Sequence, residues 1–209
     1  MVDKGNIITR ISEGHAHEDF RLELGCGGRK RWPGAIGVDL MDHPCVDIVG
    51  DIREVLEALP ENSISRIEAF HSLEHVEDIA GVLARAGSVL RNGGVLEIVV
   101  PHFSNPYFYS DYTHKQFFGL YSLCYLAGGS TFKRKVPQYQ TVTSLRLLKV
   151  SLGFKSSPPF YGRHAIKRAV GVLVNSCRAA QEMYEEMFCW MIPCYEIGYI
   201  LRKEGRQSQ

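Results

Sequence analysis

The sequence predicts an α/β protein built on a doubly wound, mostly parallel sheet. Short runs of apolar and β-branched residues recur along the chain, and Gly, Pro or Asp ends each of them, which is typical of buried strands. Segments with the apolar spacing of amphipathic helices lie between these runs. The chain has 209 residues, of which 45% are hydrophobic and 22% charged, so its size and composition are those of one ordinary globular domain.

The elements follow in order along the chain. Strands are predicted at 20–24, 35–38, 46–49, 64–70, 95–100, 141–150 and 195–202. Helices are predicted at 53–59, 79–90 and 165–188, and a further helix is predicted to begin at His114 behind a Thr113 cap. Strands that alternate with helices indicate parallel pairing through right-handed crossovers. Ligands of such sheets lie beyond the carboxyl ends of the strands, so the residues that follow each strand are the candidates for function.

Cysteine usage and hydropathy predict a cytoplasmic protein without a membrane span. The six Cys form no CxxC pair, and the first residues are polar, so we expect reduced thiols and no secretion signal. The longest apolar stretch, 187–201, is interrupted by Pro193 and Glu196. It is also shorter than the ~20 residues that a membrane helix needs.

Charge is distributed unevenly, although the net charge is only +1. Residues 1–111 carry 10 Lys or Arg and 18 Asp or Glu, whereas residues 112–181 carry 11 Lys or Arg and no acid. The neutral total disfavours a dedicated nucleic-acid binder. The cationic segment is either a chance excess on a solvated face or a surface for an anionic substrate, and the sequence leaves both interpretations open.

Three strand ends carry residues that suit an adenosine without phosphates. Gly25-Cys26-Gly27 follows the first predicted strand, and such a turn lets backbone N–H groups approach a ligand. A dinucleotide fingerprint would need Gly at position 30, where Lys30 stands. Asp39 ends the second strand, where a carboxylate can accept from both ribose hydroxyls, and Asp51 follows the third, where it can accept from an adenine amino group. Taken singly, the glycines could equally form a plain tight turn, and Asp39 and Asp51 could each cap a helix.

These motifs resemble those of class I S-adenosylmethionine-dependent methyltransferases of the type 11 group. The matching runs are Leu22-Glu23-Leu24-Gly25-Cys26-Gly27, Gly37-Val38-Asp39-Leu40, Gly50-Asp51-Ile52, His71-Ser72-Leu73-Glu74-His75-Val76, Val89 to Leu96 and Val99-Val100-Pro101. The resemblance covers roughly residues 20–102, and the stretch 196–203 is similar to that family's antiparallel last strand. It implies a seven-stranded Rossmann-like methyltransferase sheet. The chain departs from the family after Gly25, where only about ten residues precede the second strand, so the first crossover helix is expected to be truncated or replaced by a loop.

The resemblance also implies a cofactor, S-adenosylmethionine, with S-adenosylhomocysteine as product. The residues implied to bind it are Glu23, Gly25, Cys26, Gly27, Asp39, Leu40, Asp51, Ile52 and His71. Glu23 and the glycines would hold its methionine end, Asp39 its ribose, and Asp51 with Ile52 its adenine, while His71 would lie beside the sulfonium. We accordingly expect a single domain with a lead-in at 1–19, a cofactor-binding half at 20–102 and an acceptor-binding half at 103–209.

The acceptor side is expected to hold a base and an aromatic pocket. A positioned His can remove a proton from an oxygen or nitrogen nucleophile at neutral pH, and the candidates are His102 and His114, with Asp111 orienting His114. Asp111, His102 and His114 could alternatively hold a metal, the weaker interpretation, and no metal site is assigned. Tyr107, Tyr109, Tyr112 and Arg134 are the candidate acceptor-binding residues. At family level the acceptor is expected to be a small molecule of a polysaccharide or specialised-metabolite pathway, phosphorylated, nucleotide-linked or carboxylated if the cationic surface faces it.

Three functions other than methyl transfer to a small molecule are open to this sequence. His71-Ser72-Leu73-Glu74-His75 matches HxxEH, the inverted zinc-peptidase signature, but that motif needs the middle of a long helix and here it follows a strand. A non-catalytic sensor or scaffold could keep the same adenosine pocket. RNA methylation is favoured by the cationic segment and disfavoured by the neutral total and by the lack of an added RNA-binding domain.

Overall fold

The computed structural model describes Thr9 and residues 19–129, 132–137, 143–156 and 158–205. Its strands are β1 (Arg21–Leu24), β2 (Ile36–Asp39), β3 (Ile48–Val49), β4 (Ile64–Phe70), β5 (Leu90–Pro101), β6 (Leu145–Gly153) and β7 (Glu196–Lys203). They form one seven-stranded sheet in the order β3-β2-β1-β4-β5-β7-β6. Strands β1 to β5 pair in parallel, and β7 is antiparallel to both of its neighbours. The predicted doubly wound sheet with an antiparallel last strand is confirmed.

Four helices flank the sheet in the described part of the chain. They are α1 (Ile52–Ala58), α2 (Ile79–Val89), α3 (Tyr161–Val174) and α4 (Arg178–Met187), and short 3-10 turns cover Leu73–His75, Pro106–Ser110 and Ser122–Tyr125. Leucine, isoleucine and valine side chains of β1, β4 and β5 form a continuous buried core with the inner faces of α1 and α2. The core therefore holds the carboxyl ends of β1 and β4 in fixed register.

Residues 103–209 depart from the helix predictions in two places. The prediction of a helix that begins at His114 is wrong. The Thr113 N–H instead donates to the Asp111 carboxylate and closes a turn. The backbone N–H groups of Lys115 and Gln116 then donate to the Glu74 carbonyl oxygen, at 2.7 and 3.1 Å. The helix predicted at 165–188 is interrupted between Val174 and Arg178. The Asn175 side chain bonds the backbone of β6 there, so a polar contact with the sheet ends α3.

The predicted loop in place of the first crossover helix is confirmed. Residues 25–35, all of them described, form turns and bends without a helix. Lys30 holds this loop through its Nζ atom, which lies 2.7 Å from Asp47 and 2.9 Å from the carbonyl oxygen of Ala35. The predicted lead-in, including His15 and His17, falls almost wholly outside the described residues.

Two further features bear on the predictions. All six cysteines lie in the described ranges, and none of them forms a disulfide. No described helix has both the length and the apolar character that crossing a bilayer requires.

Candidate active site

The carboxyl ends of four strands meet at one edge of the sheet. The ends of β1 and β2 are joined by the backbone N–H of Gly27, which donates to Oδ2 of Asp39 at 2.7 Å. The ends of β2 and β3 are joined by the N–H of Gly50, which donates to the Asp39 carbonyl oxygen at 2.9 Å. Ser72, which follows β4, donates from Oγ to the Leu24 carbonyl oxygen at 2.9 Å. The structure therefore brings these predicted strand-end residues together.

The glycine turn has one packed side and one open side. Gly25 has a φ of +69°, and a Cβ added there would lie 2.3 Å from the Cβ of Ser72, so the position accepts only glycine without rearrangement. Gly27 has a φ of +58°, and an added Cβ would meet no atom within 4 Å. The space beside Gly27 is thus open to a ligand. Cys26 between them is buried, and burial raises the pKa of its thiol to about 12, which disfavours a reactive thiolate at neutral pH.

Asp39 and Asp51 have different local roles. Asp39 accepts at both carboxylate oxygens, from Gly27 N–H and from Met41 N–H at 2.9 Å, and each oxygen keeps a second lone pair. Asp51 caps α1 by accepting from the N–H of Arg53 at 2.8 Å, so the helix-cap interpretation holds for this residue. Leu40, directly after Asp39, is 70% exposed, while Ile52 is buried. An apolar side chain held in the open beside a carboxylate is suited to covering a planar ring.

Glu23 holds the 25–35 loop. Its side chain is buried, and its two oxygens accept from the backbone N–H groups of Arg31 and Trp32, at 3.0 to 3.3 Å. The carboxylate therefore takes over the anchoring that a crossover helix would provide. Its predicted contact with the methionine end of a cofactor stays a prediction.

His71 lies in an ionic cluster that sequence reasoning missed. It takes a left-handed conformation, with a φ of +52°, directly after β4. Its Nε2 lies 3.1 Å from Oε2 of Glu196, the first residue of β7, and Lys155 Nζ lies 2.7 Å from the same oxygen. The hydrogen bond with Glu196, and then that with Glu74, raises the pKa of His71 to about 9. Burial raises the pKa of Glu196, but the bonds from His71 and Lys155 outweigh it and lower that pKa to about 2.

His102 is fully buried, and both of its ring nitrogens have protein partners. Nδ1 accepts from the backbone N–H of Ser104 at 3.1 Å, so the ring proton lies on Nε2 and points to Oε2 of Glu185, 3.1 Å away. This carboxylate also accepts from the N–H of Leu120 at 2.7 Å. His102 thus ties the end of β5 to α4, and its role as a base stays a prediction.

His114 and Asp111 are brought together, as predicted, but without His102. Nε2 of His114 lies 3.6 Å from Oδ2 of Asp111, and hydrogen bonds from Thr113 lower the pKa of this carboxyl. The His114 ring packs against that of His75, with centroids 4.9 Å apart. His75 belongs to the HxxEH motif, which lies on a 3-10 turn rather than on a long helix. The zinc-peptidase interpretation lacks the helix that it requires.

The predicted acceptor residues are exposed. Tyr107, Tyr109 and Tyr112 are 63, 56 and 97% exposed. Tyr107 faces Tyr195 with ring centroids 6.5 Å apart. The Arg134 guanidinium instead stacks over Tyr121, 5.2 Å from its ring centroid.

A cavity of about 400 Å³ is lined mainly by residues between 103 and 126. Phe103, Phe117, Tyr121 and Glu185 are among the residues that line it, and no predicted cofactor residue does. The Glu185 carboxylate in its wall also bonds His102. The cavity and the sheet edge where the four strand ends meet are therefore lined by different residues.

Comparison with known proteins identifies structural neighbours. No protein-family model and no curated protein matches the sequence. An S-adenosylmethionine-dependent methyltransferase from Archaeoglobus fulgidus is 16% identical, with a TM-score of 0.56, over 96% of this chain and 95% of that one. A presumed methyltransferase from Bacillus halodurans is 14% identical, with a TM-score of 0.55, over 96% and 100%.

A third neighbour was solved with ligands. It is the phosphoethanolamine N-methyltransferase 2 of Haemonchus contortus, in complex with phosphomonomethylethanolamine and S-adenosylhomocysteine. It is 13% identical, with a TM-score of 0.50, over 96% of this chain and 53% of that one. Together with the sheet order, these neighbours show that the chain has the class I, Rossmann-like fold of S-adenosylmethionine-dependent methyltransferases.

Proposed function

We propose that this protein is an S-adenosylmethionine-dependent methyltransferase that acts on an oxygen or nitrogen of a small, anionic acceptor. The observation that carries the proposal is the meeting of the glycine turn, Asp39, Asp51 and His71 at the carboxyl edge of the sheet, in a fold shared with such enzymes. The phosphorylated ligand of the Haemonchus contortus neighbour supports an anionic acceptor. We expect the acceptor to come from a pathway that builds polysaccharides or specialised metabolites.

The residues at this edge fit the cofactor. S-adenosylmethionine supplies a methyl group that already carries its leaving group. Gly27 leaves open space for the methionine end, and the free lone pairs of Asp39 can accept from two ribose hydroxyls. We expect Leu40 and Ile52 to contact the adenine and Asp51 to accept from its amino group. Alignment of acceptor and methyl group can supply roughly 7 to 11 kcal/mol of the rate acceleration.

His71 and Lys155 are the cations of the ionic cluster, and the carboxylates of Glu196 and Glu74 balance them. With a pKa near 9, His71 is protonated at neutral pH and cannot take a proton from the acceptor. The Lys155 side chain is 42% exposed, so its ammonium can contact an anion from the solvent side. We propose that Lys155 binds the phosphate or carboxylate of the acceptor. His102 and His114 remain the predicted bases.

Calorimetry with the full chain tests the cofactor site. S-adenosylmethionine and S-adenosylhomocysteine should each bind, and Asp39→Ala should weaken both by more than about tenfold, because a ribose with two unpaired hydroxyls loses roughly 1.5 to 3 kcal/mol. Asp42→Ala, an exposed carboxylate three residues along, is the matched control and should leave binding unchanged. Equal affinities for the wild type and Asp39→Ala would remove the ribose role.

Turnover separates an enzyme from a non-catalytic sensor. A methyltransferase should form S-adenosylhomocysteine when supplied with phosphorylated or carboxylated small molecules, detected by mass spectrometry. His102→Gln and His114→Gln should slow this reaction about 100-fold or more where the residue is the base, without changing cofactor affinity. Tight cofactor binding with no product from any acceptor would favour the sensor.

A further inference from the structure

We propose that Glu74, His75 and His114 bind a divalent transition-metal ion, for which Zn²⁺ is the probe. One ligand atom from each side chain lies within 4.8 Å of the other two. Glu74 and His75 lie in the turn after β4, and His114 lies in the segment after β5. This site does not depend on methyl transfer and would exist whether or not the chain is a methyltransferase.

The first argument is that one oxygen of the Glu74 carboxylate is unpaired within the described part of the chain, while the other, Oε1, lies 3.6 Å from His71 Nδ1. This side chain is 1% exposed, and its Oε2 has no hydrogen-bond partner among the described residues. A buried carboxylate oxygen without a partner is costly, and a bound ion is one arrangement that satisfies it. A cation between Glu74 and the two imidazoles would satisfy it.

The second argument is the protonation of the two rings. Nδ1 of His114 lies 2.8 Å from the carbonyl oxygen of Phe108, which can only accept, so Nδ1 carries the proton. Nδ1 of His75 lies 2.9 Å from Oγ1 of Thr113, whose own proton is donated to Asp111 at 2.6 Å, so this Nδ1 also donates. Each ring is left with a lone pair on Nε2. Histidines that ligate metals are held in this way by outer hydrogen bonds from the other nitrogen.

The third argument is that the backbone already holds the two segments together. The Glu74 carbonyl oxygen accepts from the N–H groups of Lys115 and Gln116. Zinc–ligand bonds of about 2.1 Å place tetrahedral ligands about 3.4 Å apart, so the side chains need to close by roughly an ångström. Small shifts of Glu74 and of the two partly buried imidazoles would supply this. Asp111, 3.6 Å from His114 Nε2, places a further carboxylate within reach of the same ion.

The donor set indicates the class of metal. Two imidazoles and one carboxylate with an open position are typical of catalytic zinc and of ferrous sites. His71 is not a ligand in this proposal, since its Nε2 bonds Glu196, so the site differs from the HxxEH peptidase arrangement. A bound ion would make His114 a ligand rather than a base.

The test is metal binding by the full chain after removal of metals with a chelator. Zn²⁺ titrated in competition with a chromophoric chelator should bind at one ion per chain, with a Kd below about 1 μM. Glu74→Gln, His75→Gln and His114→Gln should each weaken binding at least about 100-fold, and Thr113→Val, which removes an outer bond, about 10-fold or more. His43→Gln and Glu54→Gln, which lie outside the cluster, are the matched controls and should bind as the wild type does.

Two further readouts keep the proposal falsifiable if a variant fails to fold. Zn²⁺ should raise the Tm of the wild type, and Co²⁺ should give the weak visible bands of nitrogen and oxygen ligation. No Tm shift in the wild type, binding that survives all three substitutions, or an intense Co²⁺–thiolate band would overturn the proposal. The last result would assign the ion to a cysteine instead.

Discussion

Replacing His71 with Asn should destabilise the protein most at mildly acidic pH and least above pH 9. In the folded chain, the hydrogen bond with Glu196 and then that with Glu74 raise the pKa of His71 from 6.5 to about 9. A group whose pKa rises on folding contributes its full stabilisation below the unfolded pKa, and this is lost as the pH rises through the folded pKa. The contribution of His71 should therefore decline between pH 6.5 and about 9.

The magnitude follows from the size of this pKa change. The rise corresponds to at most ~3.4 kcal/mol. Because the His71 side chain is 32% exposed, solvent screening reduces this, and we expect roughly 1 to 2 kcal/mol. Glu196 acts with the opposite sign: its pKa is lowered from 4.5 to about 2, so its stabilisation is present above pH 4.5 and lost as the pH falls through about 2. The His71–Glu196 pair should therefore stabilise the fold most between pH 4.5 and pH 6.5.

Urea unfolding of the wild type and His71→Asn at about pH 5.5, 7.5 and 9.5 measures the difference. Asn suits the position because it tolerates the left-handed backbone conformation that His71 adopts. His43→Asn controls for loss of an imidazole elsewhere. A wild-type advantage that stays constant over this pH range, or grows with pH, would refute the assigned protonation of His71. A ring titration of His71 near its unperturbed pKa by NMR would do the same.

Three further changes test other parts of the structure. Gly25→Ala should cost roughly 2 to 4 kcal/mol in urea unfolding, because the new Cβ meets Ser72 and the φ is left-handed, whereas Gly28→Ala, with open space, should cost little. Tyr199→Phe should cost about 1 kcal/mol in the same assay, by removing a buried 2.6 Å hydrogen bond to the Gly119 carbonyl oxygen. The KM of an anionic acceptor should rise with added salt, and a flat salt titration would contradict the cationic acceptor site.

Residues 20–102 could be predicted because their signals are local. The predicted bounds of β4 match the observed ones, since the apolar residues Ile64, Ile67, Ala69 and Phe70 lie between a turn and His71. Asp39 and Asp51 could be placed near each other because parallel strands end at one edge of a sheet. Nothing in the sequence shows that Glu23 anchors a loop, because its partners are backbone N–H groups whose position depends on the fold.

Residues 103–209 were harder to predict because their contacts are with residues that lie far away in the sequence. No local pattern pairs His71 with Glu196, which lies 125 residues away and reaches the site only because β7 runs antiparallel beside β5. The cationic segment 112–181 shows the same effect. Lys115, Arg146 and Lys155, three of its eleven Lys and Arg residues, each pair with an acid from outside it, so part of its predicted surface charge is neutralised in the fold.

The turn from His71 to His75 links the parts of this molecule that the proposals treat separately. Ser72 fills the space beside Gly25 and bonds the end of β1, so the turn shapes the cofactor edge. His71 reaches Glu196 on β7, and the Glu74 carbonyl oxygen binds the segment after β5. Residues 71–75 are bonded to β1, to β7 and to the segment after β5, so a shift at one of these contacts would disturb the other two. An ion bound by Glu74 and His75 would therefore affect His71 through Glu74, whose Oε1 lies 3.6 Å from His71 Nδ1, and the glycine turn through Ser72 beside Gly25.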